Sequence, residues 1–138
     1  MADITVTAAK VGVCDPMKAE IYPFVAAETI TAGQAVFVDS NGKVQLADAN
    51  ASGEQQCAGI ALNGGGAGQA IDVLKKGRVY GFTLSGAYWS SAFLSDTVGA
   101  LGTTAGTMTV PVGRVVPLSD SDKTKVLHVE INWSTVWA

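Results

Sequence analysis

Residues 32–44, AGQAVFVDSNGKV, align without a gap on residues 67–79, AGQAIDVLKKGRV. The identities are Ala32/Ala67, Gly33/Gly68, Gln34/Gln69, Ala35/Ala70, Val38/Val73, Gly42/Gly77 and Val44/Val79, with Val36/Ile71 and Lys43/Arg78 conservative. Two copies of one supersecondary unit are too few for a solenoid, so they are expected to form pseudo-symmetric hairpins inside one closed sheet. Phe37 of the first copy is Asp72 in the second, while the flanking positions stay β-branched and apolar. The flanking positions are therefore the ones expected to face the core. A three-residue loop, Ser40-Asn41-Gly42, pairs Val38 with Val44 and Val36 with Leu46, whereas a two-residue turn would set Gln45 opposite Val38 on the inward face. That loop closes with a residue in the left-handed region, so positive φ is expected at the turn glycines Gly42 and Gly77.

The same period of two predicts strands over residues 3–7, 58–62, 107–112, 114–118 and 125–133. In the last, Leu127, Val129, Ile131 and Trp133 share one face, and His128, Glu130 and Asn132 point the other way. Turn signals fall at residues 63–66, 104–106 and 120–122. Pro111 and Pro117 are expected at strand ends, bulges or edges. Residues 88–95 mix Tyr88, Trp89, Phe93 and Leu94 with serines, and read as a short helix or an irregular crossover. Residues 8–28 carry scattered apolar residues and two prolines, Pro16 and Pro23, a poor recipe for a regular core strand. The reading is all-β: an extended N-terminal arm, residues 1–27, followed by a small β-barrel-like domain, residues 28–138. Met17, Tyr22 and Phe24 of such an arm need a surface to rest on, in this domain or in a neighbouring molecule.

With 138 residues, 48% hydrophobic and 15% charged, the chain is expected to be one domain that needs neither metal nor disulfides to hold. A mean hydropathy of +0.28 argues against disorder. A net charge of −3, with no basic run, removes the term that drives phosphate-backbone binding, so no nucleic-acid partner is expected. The sequence has no apolar run of membrane-spanning length, and Met1-Ala2-Asp3-Ile4-Thr5 lacks the features of a secretory signal. The expectation is synthesis in the cytoplasm and no membrane. Cys14 and Cys57 have neither a disulfide framework nor zinc spacing, and read as small buried apolar residues.

A catalytic constellation is hard to draw, and none is assigned: His128 is the single histidine and sits on the apparent solvent side of its strand. Asp120 and Asp122, flanked by Ser119, Ser121 and Lys123, read as a polar turn, not a calcium loop. The glycine run within residues 63–68 lacks the Gly-Lys-Ser/Thr of a phosphate cradle and leads into a strand. No metal, cofactor or enzymatic activity is expected. Lys75-Lys76-Gly77 falls at a predicted hairpin tip, where it resembles the lysine of biotin- and lipoate-carrier domains, but Leu74-Lys75-Lys76-Gly77 has neither Met-Lys-Met nor Asp-Lys-Ala. Trp133 and Trp137, with Tyr80, Tyr88 and Trp89, offer aromatic faces for stacking on pyranose rings, although Trp133 aligns with the core face and Trp137 equally suits an anchor on a neighbouring subunit.

The order of signals is an Ala-Gly-Gln-Ala hairpin, a returning strand Cys57-Ala58-Gly59-Ile60-Ala61-Leu62 and a second Ala-Gly-Gln-Ala unit. Val112-Gly113-Arg114-Val115-Val116 and the closing Lys125-Val126-Leu127-His128-Val129 follow. This order resembles the small β-rich cement or head-decoration proteins of tailed bacteriophages, over about residues 28 to 133. The resemblance implies a virion structural protein on the capsid exterior that binds the major capsid protein, bridges its neighbours and stabilises the shell. It also implies a homo-oligomer, with a trimer favoured over a dimer. Met17, Ile21, Tyr22, Phe24 and Trp137 are the residues expected at the capsid or inter-subunit contact. A glycan- or partner-binding module, or a carrier domain, is the alternative.

Overall fold

A computed structural model describes residues 3–137. The two Ala-Gly-Gln-Ala motifs build the same turn twice. In the first, the Gln34 amide donates to the Thr31 carbonyl (3.2 Å), and the Gln34 side-chain oxygen accepts from the Thr31 amide (2.8 Å). In the second, the Gln69 amide donates to the Gly66 carbonyl (3.1 Å), and its side-chain oxygen accepts from the Gly66 amide (2.6 Å). Gly33 and Gly68 occupy the third position with φ of +93° and +87°, which a turn of this hand requires and glycine meets without steric cost.

Strand β3 (Ala35–Val38) leaves the first turn and β4 (Val44–Leu46) returns against it, with Val38 opposite Val44 and Val36 opposite Leu46. That is the register expected from a three-residue loop, and Gly42 closes it at φ +76°. Asp39 nucleates the reversal: Oδ1 accepts from the amides of Asn41 (2.8 Å) and Lys43 (3.0 Å), and Oδ2 from Gln45 Nε2 (2.7 Å). These bonds hold the Asp39 carboxyl below its usual range, the Gln45 amide foremost.

The second copy does not turn back. Leu74, Lys75 and Lys76 replace Asp39, Ser40 and Asn41, no side-chain acceptor is present to close a loop, and the chain runs straight through. This long strand is β6 (Ala70–Tyr80); the remaining strands are β1 (Gly12–Val13), β2 (Glu20–Val25), β5 (Cys57–Ala61), β7 (Ser91–Leu94), β8 (Leu101–Gly102), β9 (Pro111–Pro117) and β10 (Lys125–Glu130). Gly77 lies inside β6, not at a turn, with φ +142°, and a Cβ there would sit 3.1 Å from that of Ala19.

The strands join into one curled antiparallel sheet, a half-barrel in the order β4-β3-β5-β6-β10-β9-β7-β8, with β1 and β2 also paired to β6. The all-β, barrel-like class follows directly from this order. β6 is the spine. Its first half pairs with β2 and β5 and its second half with β10 and β1, and Lys76 stands opposite both Glu20 and Glu130. Both ends of the strand order are sealed by the N-terminal stretch: the Ala27 amide donates to Val44 (2.9 Å) beside β4, and the Ile4 amide to Leu101 (2.8 Å) beside β8. Sealed edges leave no open ladder at these two ends.

Hydrophobic residues collect on both faces of β3. Ala35 and Phe37 belong to the main core with Leu74, Leu94, Leu127 and Ile131, and Val36 belongs to a second cluster with Ile30, Ile71 and Val73. Phe37 is therefore buried, although its replacement by Asp72 in the other copy suggested an outward position, and Val38 is exposed. A sheet covered on both faces breaks the simple alternation.

Three further expectations change. Residues 88–95 form no helix: residues 88–89 make a tight turn, with Trp89 at φ +71°, and β7 follows. Residues 107–110 form no strand; only Pro111 and Val112 of the expected run 107–112 join residues 113–117 in the single strand β9, bounded by Pro111 and Pro117. Its Gly113 faces β10 so closely that a Cβ would lie 2.2 Å from the His128 carbonyl oxygen. Residues 3–7 contribute only isolated bridges, Asp3 to Gly102 and Val6 to Phe82. Cys14 is half-buried, Cys57 is buried, and both are free.

Candidate functional site

Strand β10 keeps Leu127, Val129 and Ile131 buried but ends at Glu130. Beyond it, Asn132 Oδ1 accepts from the Ser134 amide (2.9 Å), and the Asn132 carbonyl from the Thr135 amide (3.1 Å), so the chain turns. The turn carries Trp133 out of the core face where alternation placed it, and the ring is 45% exposed. Its indole N–H donates to the Ala58 carbonyl (2.8 Å), which fixes the ring over β5.

Strand β2 brings its aromatics to the same place. Tyr22 packs on Trp133 with ring centroids 4.7 Å apart, and Phe24 meets it edge-on at 6.4 Å. Lys75, which pairs with Glu20 at 3.5 Å, holds its ammonium 5.4 Å from the Trp133 ring centre. Lys75 and Lys76 thus lie mid-strand, not at the tip that a carrier lysine requires. Trp137 is tied down by Gln56, whose amide donates to the Trp137 carbonyl (2.6 Å) and accepts from the Trp137 amide (3.1 Å). Gln55 Nε2 reaches the same carbonyl at 3.0 Å. Phe24, Trp133 and Trp137, with Val38, Val136 and Gln56, line a mostly apolar cavity of about 460 Å³.

A second cavity of about 460 Å³ adjoins it, sharing Asn132, Thr135 and Trp137, and is walled on its far side by Trp89 and Arg114. Trp89 is the one non-glycine residue at positive φ among those described, and it is 64% exposed. A bulky residue in that region is strained, so its surroundings must hold it there. The Trp89 amide donates to Val115 (2.6 Å), Arg114 Nη1 donates to the Trp89 carbonyl (2.7 Å), and the guanidinium lies 4.8 Å from the ring centre. Beside it the Tyr88 hydroxyl donates to the Lys123 carbonyl, and the Lys125 ammonium sits 5.4 Å from the Tyr88 ring centre.

The residues singled out from sequence separate into groups. Phe24 and Trp137 meet in the first cavity, and Tyr22 is stacked on Trp133 next to it. Ile21 is exposed on β2, and Met17, 95% exposed, tops the short turn of helix Pro16–Lys18. Gly42 closes its loop, while Gly77 lies in β6. Tyr80 stands apart, in a cleft of about 750 Å³ with Cys14, Arg78 and His128. There burial pushes the Cys14 thiol up, and the charge of Cys14 does the same to the Tyr80 phenol. Cys57 is pushed up to about 12 by burial. His128 is half-buried, with Nε2 3.4 Å from Glu130 and Nδ1 buried without a hydrogen-bond partner among the described residues. Among those residues no group of His, Cys, Asp and Glu could hold a metal ion, and no helix is long and apolar enough to cross a membrane.

Alternation along β10 hid Trp133 as a surface residue; the Asn132-Trp133-Ser134 sequence, which supports an Asx turn, is the signal that could have revealed it. Nothing local marked Trp89 for positive φ. Comparison with known protein families gives no matching family model, and comparison with curated proteins gives no matching sequence.

Proposed function

We propose that this chain is a virion structural protein that binds the outside of a tailed-phage head through its major capsid protein and works as a homo-oligomer, a trimer before a dimer. It would be made in the host cytoplasm and end on the capsid exterior. The observation that carries the reading is the outer surface of β2. Among the described strands β2 pairs only with β6, and it leaves Ile21 and Val25 exposed on one face, with Tyr22 on the opposite face against Trp133, on a strand whose far edge has no partner strand. Contiguous exposed apolar residues on a rigid sheet are a contact surface in search of a partner. A shell supplies the same partner site many times, so modest contacts add up through multivalency. Met17, in the turn before β2, is 95% exposed, and Phe24 and Trp137 line the first cavity; these complete the residues assigned to the contact.

The test is sedimentation of purified protein with undecorated, matured heads of the phage that encodes it. Saturable binding at a fixed ratio to the major capsid protein supports the reading, and Ile21→Asp with Val25→Asp should then lower occupancy at least about tenfold. Circular dichroism of the double variant separates loss of contact from loss of fold. No binding to matured heads, or unchanged binding by the folded double variant, refutes it.

A further inference from the structure

We infer that the two adjoining cavities form one binding groove for a chain of pyranose sugars. All three tryptophans of the chain lie on it in order: Trp133 in the first cavity, Trp137 on the wall shared by both, and Trp89 at the far end. Each is anchored by a hydrogen bond: Trp133 through its indole N–H, Trp137 through its backbone to Gln56, and Trp89 through its backbone to Val115 and Arg114; with Tyr22 on the first ring and Arg114 on the last, Trp133 and Trp89 still stay 45% and 64% exposed. Anchored rings lose little freedom on binding, which is where preorganised sites gain affinity.

The groups between the rings decide the class of ligand. Asn132 and Thr135 stand in both cavities, Gln56 in the first, and Ser91, Arg114 and Glu130 in the second. A pyranose presents an apolar C–H face to an aromatic ring and a fringe of hydroxyls to amides, hydroxyls and charged groups, so successive units meet both kinds of surface. An apolar protein segment would strip water from the Ser91 and Thr135 hydroxyls without replacing those hydrogen bonds, which is costly. Single-stranded nucleic acid also stacks on aromatic rings, but it needs a cationic track. Here the lining carries one Arg and one Glu, Arg114 and Glu130, with no run of cations, and the whole chain carries −3. The strain held at Trp89 gives the far ring a purpose, since relaxing φ would move the ring off the groove. The groove does not depend on attachment to a head.

Calorimetric and tryptophan-fluorescence titrations with maltohexaose, cellohexaose and chitohexaose, and with the matching disaccharides, test the inference. At least one hexasaccharide should bind at millimolar affinity or better, and about tenfold more tightly than its disaccharide, because only the longer chain spans both cavities. Trp89→Gly keeps the turn, since glycine accepts the positive φ, and should reduce hexasaccharide affinity to the disaccharide level. Ile21→Asp should leave sugar binding unchanged. The inference falls if no hexasaccharide binds at millimolar concentration, or if Trp89→Gly binds as tightly as the parent. It also falls if a thymidine hexanucleotide binds in place of the sugars.

Discussion

The two Ala-Gly-Gln-Ala copies start alike and end differently. Both make a glutamine-closed turn and enter a strand. The first then reverses at Asp39, while the second runs eleven residues without turning, from Ala70 to Tyr80. The divergence begins where Leu74, Lys75 and Lys76 stand for Asp39, Ser40 and Asn41. Asp39 offers two carboxylate oxygens to the loop behind it, and Leu74, its counterpart, is fully buried in the main core. A repeated sequence therefore repeats a turn, not a fold: the shared residues set how the strand begins, and the unshared ones accompany whether it comes back.

The harshest way to break this contrast is to give the second copy the first copy's residue. Leu74→Asp places a carboxylate where no water reaches and should cost about 4 kcal/mol, enough to unfold much of the protein. Urea denaturation followed by circular dichroism measures it. A stable variant with a new hairpin at residues 74–78 would mean that the aspartate alone dictates reversal.

Smaller changes compare the turns themselves. A Cβ at Gly33 would sit 2.4 Å from Val6 Cγ2, whereas one at Gly68 meets nothing within 4 Å. Gly33→Ala should therefore cost about 3 kcal/mol, from backbone strain plus a clash, and Gly68→Ala about 1 kcal/mol, from strain alone. Equal shifts in the urea midpoint would show that the N-terminal stretch does not press on the first turn.

The gentlest probe is Asp39→Ala. It removes three hydrogen bonds at an exposed loop, so the urea midpoint should fall less than for Gly33→Ala, while the Lys43 amide exchanges about tenfold faster. Because the folded carboxyl lies below its ordinary value of 3.8, its stabilisation is complete above that pH and disappears as pH falls through the lower folded value. The gap between parent and variant should narrow on acidification. A gap that widens would contradict the assigned hydrogen bonds.

What the sequence revealed follows the same division. The hairpin register, with Val36 against Leu46 and Val38 against Val44, was legible because loop length and alternation agree there. The buried face of β10 was legible by alternation, whereas β5, buried at every position, shows none. Phe37 was not, because a second cluster covers the other face of β3 and no local pattern announces it. Gly113 read as a break between strands, yet it is the point where β9 and β10 approach too closely for any side chain. At the site, Phe24 and Trp137 stood out as apolar residues in otherwise irregular segments. Their meeting with Trp133, and the pose of Trp89, depend on contacts between residues far apart in the chain, such as Trp133 with Ala58 and Arg114 with Trp89.

The sealed edge beside β8 also sets a timetable for biosynthesis. Ile4 leaves the ribosome well before Leu101, whose carbonyl its amide binds. At about 5–20 residues per second, the N-terminal stretch waits roughly 5–20 s before its partner exists. Throughout that interval the nascent chain cannot complete its sheet, and this edge closes only after Leu101 has been made.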